Sequence, residues 1–131
     1  MVSIIYYLNK HPKILENLRT QLQTKTPLTI ESIDEVDYLK YIVKEAQRID
    51  GSINTNLQYK VFEDFECDGI HFKKGTILFY NLSAIHWNPF EWQRPEEFLP
   101  ERFDPDSPLF KRPDGTNWSP LAFIPFSFGP R

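Results

Sequence analysis

Nine of the chain's eleven prolines fall between Pro89 and Pro130. Proline removes a backbone donor and clashes with the preceding helical turn, so this third of the chain can hold neither a long helix nor a central strand. The same stretch carries Trp92, Trp118 and several phenylalanines, and Trp87 stands just before it. Aromatics at that density bury area, which makes the segment a packed irregular coil rather than a linker. Long ordered coils of this kind are uncommon and usually functional.

The first half reads as helix. Val2 to Leu8 has the pattern of the last turns of a helix. His11-Pro12 restarts the chain, since proline is tolerated at a first helical position. Ile14, Leu15, Leu18 and Leu22 then form one apolar stripe, with Glu16, Arg19 and Gln23 on the wet side. Pro27 marks a loop over 24–29. Ser32 and Glu35 have capping-box spacing, and a strong helix is expected from Val36 to about Ile49, with Leu39, Ile42, Val43 and Ala46 as its buried stripe. Asp50-Gly51 ends it.

The middle is β-rich. Leu57 to Cys67 and Ile70 to Tyr80 are strand-like, and Asp68-Gly69 between them suits the positive φ angles of a two-residue hairpin turn. Gly75 predicts a further turn at Lys73-Lys74-Gly75. The fold class is therefore α+β: helices over 12–49, a β region over 53–87, an irregular coil over 88–125 and a terminal loop over 126–131.

Composition excludes several functions. With 131 residues, 40% apolar, and a formal charge of −3 without basic clusters, the chain suits one small packed unit and not a nucleic-acid-binding face. The apolar run Ile4 to Leu8 is far too short to span a bilayer. The opening residues also lack the basic start and cleavage site of a secretory leader. The lone Cys67 cannot form an internal disulfide and reads as a small half-buried thiol at the hairpin turn. The chain begins inside a helical pattern and ends on Gly129-Pro130-Arg131, so it reads as a piece of a longer protein.

Three short patterns carry the chemistry. Glu45-Ala46-Gln47-Arg48 places a carboxylate and a guanidinium three apart on one helix face, off the expected apolar stripe. Alone it is an ordinary solvated ion pair. In Pro100-Glu101-Arg102-Phe103, Phe98 and Phe103 bracket a charged pair within the coil. That is either an exposed turn with two aromatic anchors, or a device that sets Arg102 against Glu45. A carboxylate can accept bonds from two arginines at once. The third pattern is the terminal Phe126-Ser127-Phe128-Gly129-Pro130-Arg131.

In this order, with Ile85-His86-Trp87-Asn88-Pro89 between the first two, the patterns resemble the cytochrome P450 family along essentially the whole chain. The resemblance implies a partial domain of that mainly α fold, and a structural triad of Glu45, Arg48 and Arg102. It implies haem binding by Phe126, Gly129 and Arg131, with Arg131 on a propionate and Phe126 beside the ligand cysteine. That cysteine belongs two residues past Arg131, so no metal ligand is expected in this chain. A second basic propionate contact, usual in the strand after the helix, is missing: Gln58 and Tyr59 occupy the neighbourhood, with Lys60 and His86 nearby. Gln47 and Asp50-Gly51 also depart from the family's usual leucine and proline. Residues 51–56 resemble a stretch that lines the family's substrate pocket.

The implied activity is insertion of one oxygen atom of O2 into a small, hydrophobic organic substrate. Electrons would come from NAD(P)H through a reductase, and the full-length protein would sit at the endoplasmic reticulum membrane. These 131 residues alone are expected to be inactive, and the rival reading is a non-catalytic truncated remnant serving as a binding or interaction module.

Overall fold

The computed structural model describes residues 2–51 and 57–126. Four helices open the chain: α1 (Val2–Lys10), α2 (Pro12–Gln23), α3 (Ile30–Asp34) and α4 (Asp37–Ile49). Pro12 occupies the first turn of α2, where its missing N–H costs nothing. The capping box lies one helix earlier than expected. Thr29 accepts from the Ser32 amide at 3.2 Å, and the Ser32 hydroxyl accepts from the Thr29 amide at 2.9 Å, closing the start of α3. Serine here does the reciprocal work that the sequence reading gave to Glu35, which is instead paired with Lys25 at 2.7 Å.

Helix α4 supplies the centre. Tyr38, Ile42, Glu45, Ala46, Arg48 and Ile49 are buried. Leu39 and Val43, expected in that stripe, are only half-buried. The buried positions 38, 42, 45 and 49 follow the i, i+4, i+7, i+11 series of one helix face, so Glu45 lies on the buried stripe and not beside it. Ile42, Ala46, Tyr38 and Ile49 pack with Leu18 of α2, Val36 and Phe98 of the coil. Ile4, Tyr7 and Leu8 of α1 lean on the same core, and the Tyr7 ring stacks on Phe98 with centroids 4.8 Å apart. One coil phenylalanine thus closes the helical layer.

The β region is one interrupted hairpin. Strand β1 (Leu57–Lys60) pairs antiparallel with β4 (Ile77–Tyr80), and β2 (Phe65–Cys67) with β3 (Ile70–Phe72). Asp68 and Gly69, with φ of 50° and 74°, make the expected tight turn. Between the two pairs, buried Val61 keeps the ladder going through bonds to Thr76 and Gly75, and the Lys73 carbonyl accepts from Thr76. The β region ends earlier than the expected 87. Asn81 accepts from the Ala84 amide at 3.0 Å and starts α5 (Leu82–His86). An asparagine cap offers the backbone a helical turn where a further strand residue would not.

After α5 the helical structure among the described residues is two short 3-10 turns, Pro100–Phe103 and Pro108–Phe110. Trp92, Phe103 and Ala122 are buried together, with Trp118, Phe123 and Tyr41 against them. Polar side chains tie the coil internally. Glu91 accepts from the Ser119 amide at 2.8 Å and pairs with Arg112 at 3.2 Å, and Gln93 donates to the carbonyls of Pro108 and Lys111. No helix among the described residues is long and apolar enough to cross a membrane.

Candidate functional site

The helix α4 and the proline-rich coil meet at Glu45. Three positions separate Glu45 from Arg48, so their side chains leave the same side of the helix and close a two-pronged pair. Arg48 Nε donates to Glu45 Oε2 and Nη2 to Oε1, both at 2.9 Å. Arg102 arrives from the first 3-10 turn, and its Nε donates to Glu45 Oε1 at 3.0 Å. The Leu99 amide donates to the same oxygen at 3.0 Å. Glu45 and Arg102 have no exposed surface, and Arg48 has 1%.

Two guanidiniums against one carboxylate leave a buried excess of one positive charge. Such a charge is costly unless dipoles meet it. Backbone carbonyls do so here. Arg48 donates to the carbonyls of His86 at 2.8 Å and Glu97 at 3.2 Å. Arg102 donates to those of Gln93, Arg94 at 2.7 Å and Glu97 at 3.3 Å. Arg94 holds a positive φ of 47°, a backbone state that β-carbon sterics disfavour, and its carbonyl reaches Arg102. Burial pulls the Arg102 guanidinium below its ordinary value, against the opposing pull of Glu45. Arg48 also lies 5.6 Å from the Trp92 ring centre. The Trp92 indole N–H is buried and has no hydrogen-bond partner among the described residues. Beside this group, Tyr38 of α4 donates to Glu101 at 3.2 Å, and burial, first among the causes, pushes its hydroxyl up to about 12.

A second tie runs through α5. The His86 ring is buried, and its Nε2 accepts from the Ile124 amide at 3.1 Å. Burial, helped by the nearby Arg48 charge, pushes His86 down to about 4. It is therefore a neutral acceptor engaged with the coil and not a cation free to meet a propionate. Lys60 sits exposed on β1. Trp87, next in sequence, donates from its indole to the Ile49 carbonyl at 3.2 Å.

The remaining candidate residues are placed as follows. Phe126 is 62% exposed. Gly129 and Arg131 lie outside the described residues, as do positions 52–56 of the stretch compared with a substrate-pocket lining. Cys67 is exposed, not half-buried, because all of β2 lies on the outer hairpin. An open thiol on a two-stranded ribbon has none of the enclosure that an iron-thiolate needs, so Cys67 does not fit that role. No group of His, Cys, Asp and Glu among the described residues could hold a metal ion. Leu121, five residues before Phe126 in the coil, is exposed as well.

The backbone carbonyls that meet the two arginines, at residues 86, 93, 94 and 97, had no signal in the sequence, because a carbonyl is present at every position. His86 did have one, as a lone histidine between apolar neighbours.

Comparison with known proteins agrees with this architecture. The cytochrome P450 family model matches residues 1–131. Cytochrome P450 3A19 of the goat Capra hircus aegagrus is 35% identical over 98% of this chain and 57% of its own length. Mouse cytochrome P450 2J5 is 30% identical over 97% of this chain. The solved structure of a retinoic-acid-bound cyanobacterial CYP120A1 superposes with a TM-score of 0.82 at 31% identity, covering 97% of this chain and 28% of that one. The chain belongs to the cytochrome P450 family. It spans 57% of the goat relative and about a quarter of others such as the rat and mouse proteins.

Proposed function

We propose that the full-length protein is a haem-dependent monooxygenase, to which residues 1–131 contribute part of the cofactor-side scaffold. The observation that carries the reading is the buried meeting of Glu45 with Arg48 and Arg102, within a chain matched by the family along its whole length. In this reading Glu45, Arg48 and Arg102 are the structural triad. It fastens the coil that leads to Phe126 onto α4. Phe126, Gly129 and Arg131 hold the haem, Arg131 by pairing with a propionate carboxylate. The bound group supplies dioxygen activation at a thiolate-ligated iron.

The overall reaction takes a substrate C–H, O2, two electrons and two protons to the C–OH product and water. Electrons come from NAD(P)H through a reductase, and the substrate is a small hydrophobic organic molecule. Resemblance to the family's eukaryotic members supports an endoplasmic reticulum membrane location for the full-length protein. The domain divides into helices over 12–49, a β region, the coil to residue 125 and the start of the cofactor loop at 126.

The test is the reduced carbonyl spectrum of the full-length protein, together with substrate-dependent consumption of O2 and NADPH. A thiolate-type spectrum is expected from the full-length protein and none from residues 1–131 alone. A coding sequence that fails to continue past Arg131 into x-Cys-x-Gly would refute the reading, as would a full-length protein that binds no haem.

A further inference from the structure

We infer that His86 is a positioning residue for the loop that follows Phe126, acting through Nε2 as the acceptor for the Ile124 amide. The inference rests on the haem reading above. The coil between residues 118 and 126 is held at its start by aromatic packing of Trp118 and by the Ser119 amide on Glu91. Two residues before Phe126, the bond from Ile124 to His86 ties the backbone to α5, and Ile124 itself is buried. His86 is fastened in turn, since its own carbonyl accepts from Arg48. A continuous path therefore runs from Glu45 through Arg48 and His86 to Ile124, at the threshold of the cofactor loop.

Only a neutral ring can fill this place. Ile124 N–H is a donor, so Nε2 must present its lone pair, and an imidazolium there would set donor against donor. The surroundings keep the ring neutral. Arg48 faces it from α4, with Glu45 behind that arginine, while residues 122–126 carry no titratable side chain. The Phe123 ring covers it at 5.7 Å. The chemistry of the ring toward the coil is the single bond that Nε2 accepts.

The experiment compares His86→Gln, His86→Asn and His86→Leu in the full-length holoprotein. Glutamine carries an acceptor close to where Nε2 sits, asparagine carries one too short to reach, and leucine carries none. Amide exchange at Ile124 reports the bond itself, and the reduced carbonyl spectrum and haem midpoint potential report the loop. Loss of one hydrogen bond should speed Ile124 exchange about fivefold to tenfold in the Leu and Asn variants. In both, part of the carbonyl spectrum should convert to the thiolate-free form and the potential should shift, with Gln restoring all three readouts. Should the Leu variant not fold, the Gln and Asn pair decides. Unchanged Ile124 exchange in the Asn variant would overturn the acceptor role. Faster exchange with a wild-type spectrum and potential would overturn the loop role alone. A wild-type holoprotein without a thiolate spectrum would overturn the haem reading and the loop role together, while Ile124 exchange would still show whether His86 holds the coil.

Discussion

Replacing Arg102 with lysine separates the charge of this side chain from its shape. The arginine is fully buried and uses all three of its nitrogens: Nε on Glu45, Nη1 on the Gln93 carbonyl, and Nη2 on the carbonyls of Arg94 and Glu97. Lysine keeps the positive charge but gathers its donors on one atom at the end of a flexible stem. It can keep the Glu45 contact or reach toward residues 93 and 94, and at least two of the present bonds are lost. Each bond to a charged donor contributes about 1.5–3 kcal/mol, so the expected cost of Arg102→Lys is about 3–6 kcal/mol. That is a large share of the roughly 5–15 kcal/mol by which a folded domain is stable. Denaturant unfolding of the full-length protein, followed by far-UV circular dichroism, measures it. Amide exchange at residues 93–99 locates the loss. A lysine variant within about 1 kcal/mol of wild type would refute the argument that geometry, more than charge, fastens the coil.

Three further outcomes follow from the same structure. His86 titrates near 6.5 when unfolded and is pushed down to about 4 by burial, so the unfolded chain binds more protons between those values. Stability should therefore be full above pH 6.5 and fall by up to about 3 kcal/mol as pH drops toward 4. A denaturation series across that window should show this slope for wild type and a flatter one for His86→Gln. Ile42→Ala opens a void in the centre of the helical layer, where Ile42 has no exposed surface, and should cost about 2–5 kcal/mol by equilibrium unfolding. Gly69→Ala meets no atom within 4 Å of the added carbon, so its cost is the backbone's alone at φ +74°, about 1–2 kcal/mol, measured the same way.

Where a feature depended on side-chain type and spacing, it could be read in advance. Prolines forbade long helices and central strands after residue 88, and the described residues there form two short 3-10 turns and one isolated bridge between Lys111 and Asn117. Asp68-Gly69 specified its turn because few other pairs tolerate two positive φ angles. The meeting of Glu45 and Arg102 was available as one of two alternatives, since a carboxylate on a helix and an arginine between two aromatic anchors suit each other. Other features escaped. Helix α5 is five residues long, too short for a periodic apolar stripe to mark it. The box at Thr29 and Ser32 was displaced in the reading by the more familiar Ser32-x-x-Glu35, because hydroxyl and carboxylate can play the same reciprocal part. Glu45 was assigned to the side of α4 because a charged residue is normally excluded from the core. Its burial needs partners 54 and 57 positions away, the Leu99 amide and Arg102, which no local pattern contains.

The arginines hold the coil largely by main-chain oxygens. Gln93, Arg94 and Glu97 offer Arg102 only their carbonyls, and any residue whose backbone follows the same path would offer the same. The contact therefore reads the route of the chain and is blind to its spelling at those three positions. A side-chain change there leaves the Arg102 contact in place as long as the bend survives, whereas a one-residue insertion, which preserves every side chain, would move the oxygens off their target and release the coil.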